Sequence, residues 1–294
     1  MQALGSYPIT LAGRDDVKKR YLPKVATGEA ITAFALTEAE AGSDVVAMKS
    51  RAVKSGREYV LNGEKRFISN AGIATTYTVF AKTDPEKGSK GLSAFVVDAD
   101  TPGFSVKELT RVMAPHPIGV VELKDCRIPE DQRLGVEGQG LRIALETLDM
   151  LRPTVGAAAC GLAARALEEA LGYATERRQF GQFLSDFQAI QLKLADMATL
   201  LDAARLLVHR AAWVQDLTGR DARVEASMAK LFATEAAQRI VDEALQIHGG
   251  VGVVVGTPVE RLYREVRALR IYEGTSDIQR LQIAKELLKR QKTR

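Results

Sequence analysis

The chain has 294 residues, 46% of them hydrophobic and 27% charged, with a net charge of +4, which suits a globular protein of one large or two medium domains. Its Lys and Arg residues alternate with Asp and Glu, and no basic block interleaved with aromatics occurs, so nucleic acid is not the expected partner. Two distant cysteines, Cys126 and Cys160, and three histidines, His116, His209 and His248, show no disulfide or metal-ligand spacing.

No apolar run reaches membrane-spanning length, and the first residues lack signal-peptide regions, so no membrane association and a reducing, cytoplasmic setting are expected. In chain order, residues 1–30 read as mixed. Leu11 to Asp15 suggests a turn, and Asp16 to Leu22 a short helix ended before Pro23. This piece is too short to bury itself and must lean on something else. From Ile31 the pattern becomes extended. Ile31 to Leu36, Tyr77 to Lys82, Leu92 to Val97, Phe104 to Leu109 and Val120 to Leu123 read as strands between loops rich in Gly, Pro and Asp. Arg57 to Ile68 reads as a hairpin turning at Asn62-Gly63, the pair preferred by a type I′ turn. Many short strands with local turns predict an antiparallel β-barrel or sandwich over 31–133.

From about Gly140 the period is helical. Leu141, Leu145, Leu148, Val155, Ala159 and Leu162 mark one buried face, with Pro153 expected to kink or divide the helix. The run Gly156 to Gly161 suggests close approach by a neighbour. Ser185 and Gln188 have capping-box spacing ahead of Ile190, Leu194, Met197 and Leu201, and Gly219 is a stop signal. A helix over 222–248 ends at Gly249-Gly250. Thr257-Pro258 starts another that runs to about Arg270. Ser276 and Gln279 repeat the capping-box spacing before the last helix. The prediction is an α+β chain: a remnant helical piece over 1–30, the β domain, and an antiparallel bundle of four or five helices over 134–294.

Several segments offer chemistry. Thr37 to Asp44 is a loop of Gly, Ser and Thr that either binds a ligand through backbone N–H groups and hydroxyls or merely joins two strands. Arg177 and Arg178 either hold a phosphate or cap the preceding helix. Gly249-Gly250-Val251-Gly252 follows a helix, not a strand, and so is no dinucleotide fingerprint. Glu273 precedes a helix start beside Gly274, which permits a sharp turn. No phosphate-loop, HExxH or GxSxG motif occurs.

Taken together and in order, six motifs resemble the acyl-CoA dehydrogenase family: Leu36 to Asp44, Leu61 to Asn70, Arg152-Pro153, Glu176 to Gly181, Gln246 to Gly250 and Ile271 to Arg280. The resemblance spans nearly the whole chain and implies FAD held between a β domain and a C-terminal bundle. Leu36, Thr37, Gly42 and Ser43, then Phe67, Ile68 and Ser69, would contact the flavin. Arg177, Phe180, Gln246, Gly249 and Gly250 would bind the adenine half of FAD on a neighbouring subunit, which implies a homotetramer built as a dimer of dimers. Thr275 and Asp277 would lie near FAD. Ser43, Asp149, Arg152, Tyr272 and Gly274 would meet the acyl-CoA substrate. Glu273 would remove the pro-R α-proton of the thioester while the β-hydrogen leaves as hydride, giving the trans-2-enoyl-CoA. Leu151 stands where some long-chain and isovaleryl members carry the base, consistent with Glu273 in that role.

Ala39-Glu40 replaces the family's usual Pro-Gly or similar pair, and Ser69 a frequent Thr. The family also carries on the order of a hundred residues before these motifs, the size of a small domain, so the resemblance implies a chain beginning within the last helices of an N-terminal helical domain. Electron-transfer flavoprotein is the expected oxidant. A dioxygen-using acyl-CoA oxidase on the same scaffold, and an inactive assembly or binding module, are the alternative readings.

Overall fold

The computed structural model describes residues 2–218 and 222–292, and the chain divides into two compact units, residues 1–148 and 149–294. No helix among the described residues is long and apolar enough to cross a membrane.

The first unit opens with two helices, α1 (Gln2–Ala12) and α2 (Asp15–Thr27). The expected stop before Pro23 does not occur. Pro23 lies inside α2, and it and Lys19, whose carbonyl loses its helical donor, are both exposed, so water can satisfy that carbonyl. Gly28, at φ +81°, ends the helix instead. Helix α1 leans on the sheet. Thr32 donates its N–H to Gln2 at 2.8 Å, and Thr78 donates its hydroxyl to Gly5 O at 2.9 Å.

The strands are β1 (Thr32–Ala35), β2 (Arg51–Ser55), β3 (Glu58–Ser69), β4 (Thr76–Lys82), β5 (Leu92–Asp98), β6 (Phe104–Leu109), β7 (Ile118–Pro129) and β8 (Arg133–Leu134). They form one mixed sheet in the order β6-β7-β3-β2-β4-β5-β8, with β1 pairing β4 off that path. The barrel expectation is corrected here: β6 and β8 are the ends of the path, and no pairing between them closes the sheet among the described residues. Nor is the sheet wholly antiparallel, because β1 and β2 both run parallel to β4. A single pair, Arg51↔Lys82, joins β2 to β4. Residues from strands on both sides of that weak joint, including Tyr59, Leu61, Val121 and Ile128 with Tyr77, Val79, Phe95 and Val97, share one core.

The expected turn at Asn62-Gly63 is also corrected. The hairpin turns earlier, at Gly56, between β2 and β3, and β3 continues straight through Asn62-Gly63. There the pairing with β7 slips, and Asn62 bonds to Asp125 through both side-chain groups. A Cβ on Gly63 would stand 2.7 Å from Ser50 Cα, so this glycine serves a close backbone crossing.

The second unit is helical: most of α3 (Gly140–Glu176), then α4 (Gln188–Thr218), α5 (Arg223–His248), α6 (Pro258–Leu269) and α7 (Ser276–Lys292). Ion pairs Lys193–Glu243 and Arg210–Glu225 run α4 and α5 antiparallel. Gln215 reaching Met150, and Gly156 lying against Val208, do the same for α3 and α4. The core is rich in small side chains, with Ala159, Ala163, Ala166 and Ala170 of α3 beside Ala233, Ala237 and Ala244 of α5. Pro153 does not divide α3. Its ring removes the donor for the Asp149 carbonyl, and Gln215 Nε2 supplies one at 3.4 Å, with Met150 O at 3.3 Å. Ser185 does not cap α4: it lies within a 3₁₀ turn over Leu184–Asp186, where Asp186 accepts from the Phe183 N–H at 3.0 Å. Gly219 lies outside the described residues.

Candidate functional site

In the second unit, the segment between α6 and α7 is a small closed loop. Ser276 donates its N–H to Arg270 O at 3.0 Å. Glu235 of α5 holds both ends, accepting from Arg270 at 2.8 Å and from the Ser276 hydroxyl. At the apex Glu273 (φ +53°) and Gly274 (φ +90°) are consecutive left-handed residues. A non-glycine residue in that region is strained and persists only when its surroundings hold it. Three buried side chains do so. Gln279 Nε2 donates to Glu273 O at 3.2 Å and Gly274 O at 3.1 Å, Arg152 Nε to Glu273 O at 3.4 Å, and Lys230 Nζ to Gly274 O at 2.8 Å. The φ of Gly274 strains any other residue, and a Cβ there would stand 2.5 Å from Gln279 Nε2 and displace that amide.

The helix cap differs from the expected one. Thr275, not Ser276, caps α7, its hydroxyl accepting from the Ile278 N–H at 3.2 Å. Asp277 is exposed in the first turn and pairs with Arg280 at 3.4 Å. Asp149 accepts from Arg152 at 2.5 Å and from Arg223 at 3.3 Å. The structure therefore joins Asp149, Arg152, Glu273 and Gly274 in one cluster, with Leu151 buried on α3. Tyr272 is half-buried against the helical core, and burial together with the neighbouring Glu273 pushes its hydroxyl up to about 12. From the sequence, Lys230 has no role and Gln279 only that of a capping-box partner to Ser276. For Lys230 the available signal was its place in a buried stripe, since Ala226, Lys230, Ala233 and Ala237 repeat at helical spacing.

Burial pushes the Glu273 carboxyl up to about 7, against the opposing pull of Arg152 and Lys230. Its Oε2 is buried and has no hydrogen-bond partner among the described residues. A carboxylate poised near neutrality with an uncommitted oxygen is suited to proton transfer. Burial likewise draws Lys230 down to about 8.

In the first unit, two candidate segments are tied to each other. Arg66 donates its N–H to Thr37 O at 2.8 Å. Beneath them Lys65 is buried, donating to Glu38 at 2.7 Å and Leu36 O at 3.2 Å. Glu38 also accepts the N–H groups of Lys49 and Ser50. Beyond Lys65 the strand bulges: Lys65 pairs Val121 and Ile68 pairs Gly119, leaving Arg66 and Phe67 against one residue of β7. The bulge puts Phe67 at φ +56° with 56% of its surface exposed, while Ile68 turns into the core and Ser69 is half-buried. Gly42 and Ser43 lie on an exposed loop, and a Cβ on Gly42 would meet nothing.

Back in the second unit, a short hairpin, β9 (Arg178–Gln179) and β10 (Gln182–Phe183), links α3 to α4. Phe180 sits at its tip at φ +50°, 93% exposed. Arg177 is exposed at its base. Tyr173, one turn earlier, stacks on His248 with ring centroids 4.4 Å apart. Gln246, Gly249 and Gly250, all exposed, thus emerge from the helix end that abuts the one bearing Arg177 and Phe180.

Residues 33–126 match the acyl-CoA dehydrogenase middle-domain model, and residues 138–288 the acyl-CoA dehydrogenase C-terminal-domain model. An acyl-CoA dehydrogenase of Bacillus subtilis is 44% identical over 97% of this chain and 76% of its own length. The caffeyl-CoA reductase-Etf complex subunit CarC of Acetobacterium woodii is 42% identical over 98% of this chain and 76% of its own. Butyryl-CoA dehydrogenase from Megasphaera elsdenii superposes with a TM-score of 0.95 at 39% identity, covering 97% of this chain and 75% of that one. With both domain models matched and relatives this similar over nearly its whole length, the chain belongs to the acyl-CoA dehydrogenase family of FAD-dependent oxidoreductases.

Proposed function

We propose that the protein catalyses α,β-dehydrogenation of acyl-CoA thioesters with Glu273 as the base. The observation that carries this reading is the Glu273 carboxyl itself: raised to about 7, with a buried Oε2 that has no hydrogen-bond partner among the described residues, at the apex of a loop pinned on both sides. Glu273 takes the α-proton onto its carboxylate. Its backbone N–H serves as a donor to the thioester carbonyl, whose polarisation acidifies that proton. By microscopic reversibility the protonated carboxyl returns the proton when the reaction runs toward the saturated thioester.

The residues present fit FAD. Phe67 and Phe180 are exposed aromatics held out by left-handed backbone, and Gly42, Gly249 and Gly250 leave their backbone uncovered for close approach. Leu36, Thr37, Ser43, Ile68 and Ser69 would hold the flavin end. Arg177, Phe180, Gln246, Gly249 and Gly250 would hold the adenine end, donated from one copy of the chain to another within a tetramer. When bound, FAD supplies the acceptor for the β-hydrogen. Asp149 and Arg152 act on the substrate side through the loop they hold, and electron-transfer flavoprotein is the proposed redox partner, as the name of the CarC relative suggests.

Anaerobic mixing of the FAD-loaded protein with CoA thioesters of graded length tests this reading by flavin bleaching. Glu273→Gln should retain FAD and fail to bleach, and parental bleaching by that variant would overturn the assignment. Peroxide production in air equal to turnover would replace electron-transfer flavoprotein with dioxygen.

A further inference from the structure

Lys230 and Gln279 are costly residues where they stand. Lys230 is fully buried on α5, among the small side chains of Ala226, Ser227, Ala233, Thr234 and Ala237. Gln279 is fully buried on α7, and its Oε1 has no hydrogen-bond partner among the described residues. A buried cation and a half-satisfied amide both oppose folding. Apolar side chains would pack those helices at lower cost. The nitrogens, however, converge from two helices on two consecutive carbonyls, Glu273 O and Gly274 O. Glu273 O belongs to the peptide that joins the two left-handed residues of the loop, and Gly274 O to the peptide after it. Fixing both carbonyl directions fixes the two peptide planes on either side of Gly274, and with them the direction in which the Glu273 side chain leaves the backbone.

We propose that Lys230 and Gln279 are positioning residues that clamp the two peptides on either side of Gly274 and so aim the Glu273 carboxylate. The inference rests on the reading of Glu273 as the base. The clamp acts on geometry, so it governs the rate of proton removal, and neither residue need touch substrate. Arg152, contacting only Glu273 O and committed to Asp149, is an accessory to it.

The test uses FAD-loaded full-length protein with butyryl-CoA as the probe. Lys230→Met keeps the stem and removes the donor. Gln279→Glu keeps the volume and removes both N–H donors. Each should slow flavin bleaching at saturating thioester, and α-proton exchange in D2O, by about tenfold or more. Flavin content, melting temperature and KM should stay near parental, and Lys230→Arg should restore part of the rate. The double variant should be little worse than the poorer single, because both act on one turn. A parental rate in either variant overturns the clamp. So does a loss that follows KM or flavin content alone, or a failure of both single variants to fold, which would assign the pair to the core. Glu273→Gln is run alongside: if it still exchanges the α-proton, the base assignment falls. If it is inactive while Lys230→Met is parental, the base stands and the clamp falls.

Discussion

Arg152 meets Glu273 through the backbone: its Nε donates to the Glu273 carbonyl at 3.4 Å while its Nη1 is held by Asp149 at 2.5 Å. One planar guanidinium thus couples a carboxylate on α3 to the apex of a loop that lies 121 residues later. Lysine cannot reproduce that geometry, because its donors radiate from one nitrogen. Arg152→Lys should therefore retain FAD and lose about 10²-fold in kcat through loop misplacement. Stopped-flow bleaching measures the rate, and the flavin spectrum measures retention.

The raised Glu273 carboxyl predicts two opposite pH responses. As a base it works only when deprotonated, so kcat should rise with pH through about 7, roughly tenfold per unit on the acid limb. For stability the sign reverses. The native carboxyl takes up its proton at a higher pH than the unfolded one, so native protein binds more protons between those values. Its stability is greatest below the unfolded value and falls as pH rises through about 7, by on the order of 3 kcal/mol for full ionisation. Glu273→Gln should flatten this slope, and melts of the FAD-loaded pair from about pH 5 to about pH 8 would show it.

The buried pair Lys65–Glu38 fixes the two candidate segments of the first unit, Leu36 to Asp44 and Leu61 to Asn70. Burial draws Lys65 down to about 8, while the ammonium and the backbone N–H groups overcome the burial of Glu38 and keep its carboxyl below the usual range. Lys65→Met strands that carboxylate and should cost about 3–5 kcal/mol, with flavin loss. Adding Glu38→Gln should recover most of the stability. Urea titration and flavin absorbance distinguish the two outcomes.

Much of this arrangement was legible in the residues because local chemistry carried it. Gly249 ends α5, Pro258 begins α6, and the apolar run of Leu92 to Val97 forms a strand, each as its own residues require. The failures share one cause, in that distant partners overrode a local preference. Asn62-Gly63 has the chemistry of a turn, yet Asp125 and Ser50 hold it inside a strand, opposite a bulge in β7. Ser276 has the spacing of a cap, yet Glu235 takes its hydroxyl and leaves the cap to Thr275. Gln279 has the spacing of a cap partner yet bonds the Glu273 loop instead, and a buried lysine such as Lys230 gains its meaning only when that loop folds over it.

Pro153 offers the sharpest case of a local rule overridden. Proline removes the N–H that would bond Asp149 O, and the helix nevertheless continues because Gln215 of α4 donates there and to Met150 O. Gln215→Leu removes both donors from carbonyls next to Arg152, and should cost about 1–2 kcal/mol. Pro153→Ala restores the backbone donor, so the same Gln215→Leu change should then cost much less. A double-mutant cycle by urea denaturation measures the coupling, and additive costs would show that Gln215 is not the substitute donor. Because the freed carbonyl belongs to Asp149, whose side chain holds Arg152, the Gln215 variant should also slow turnover, and that loss too should shrink when Pro153 is replaced.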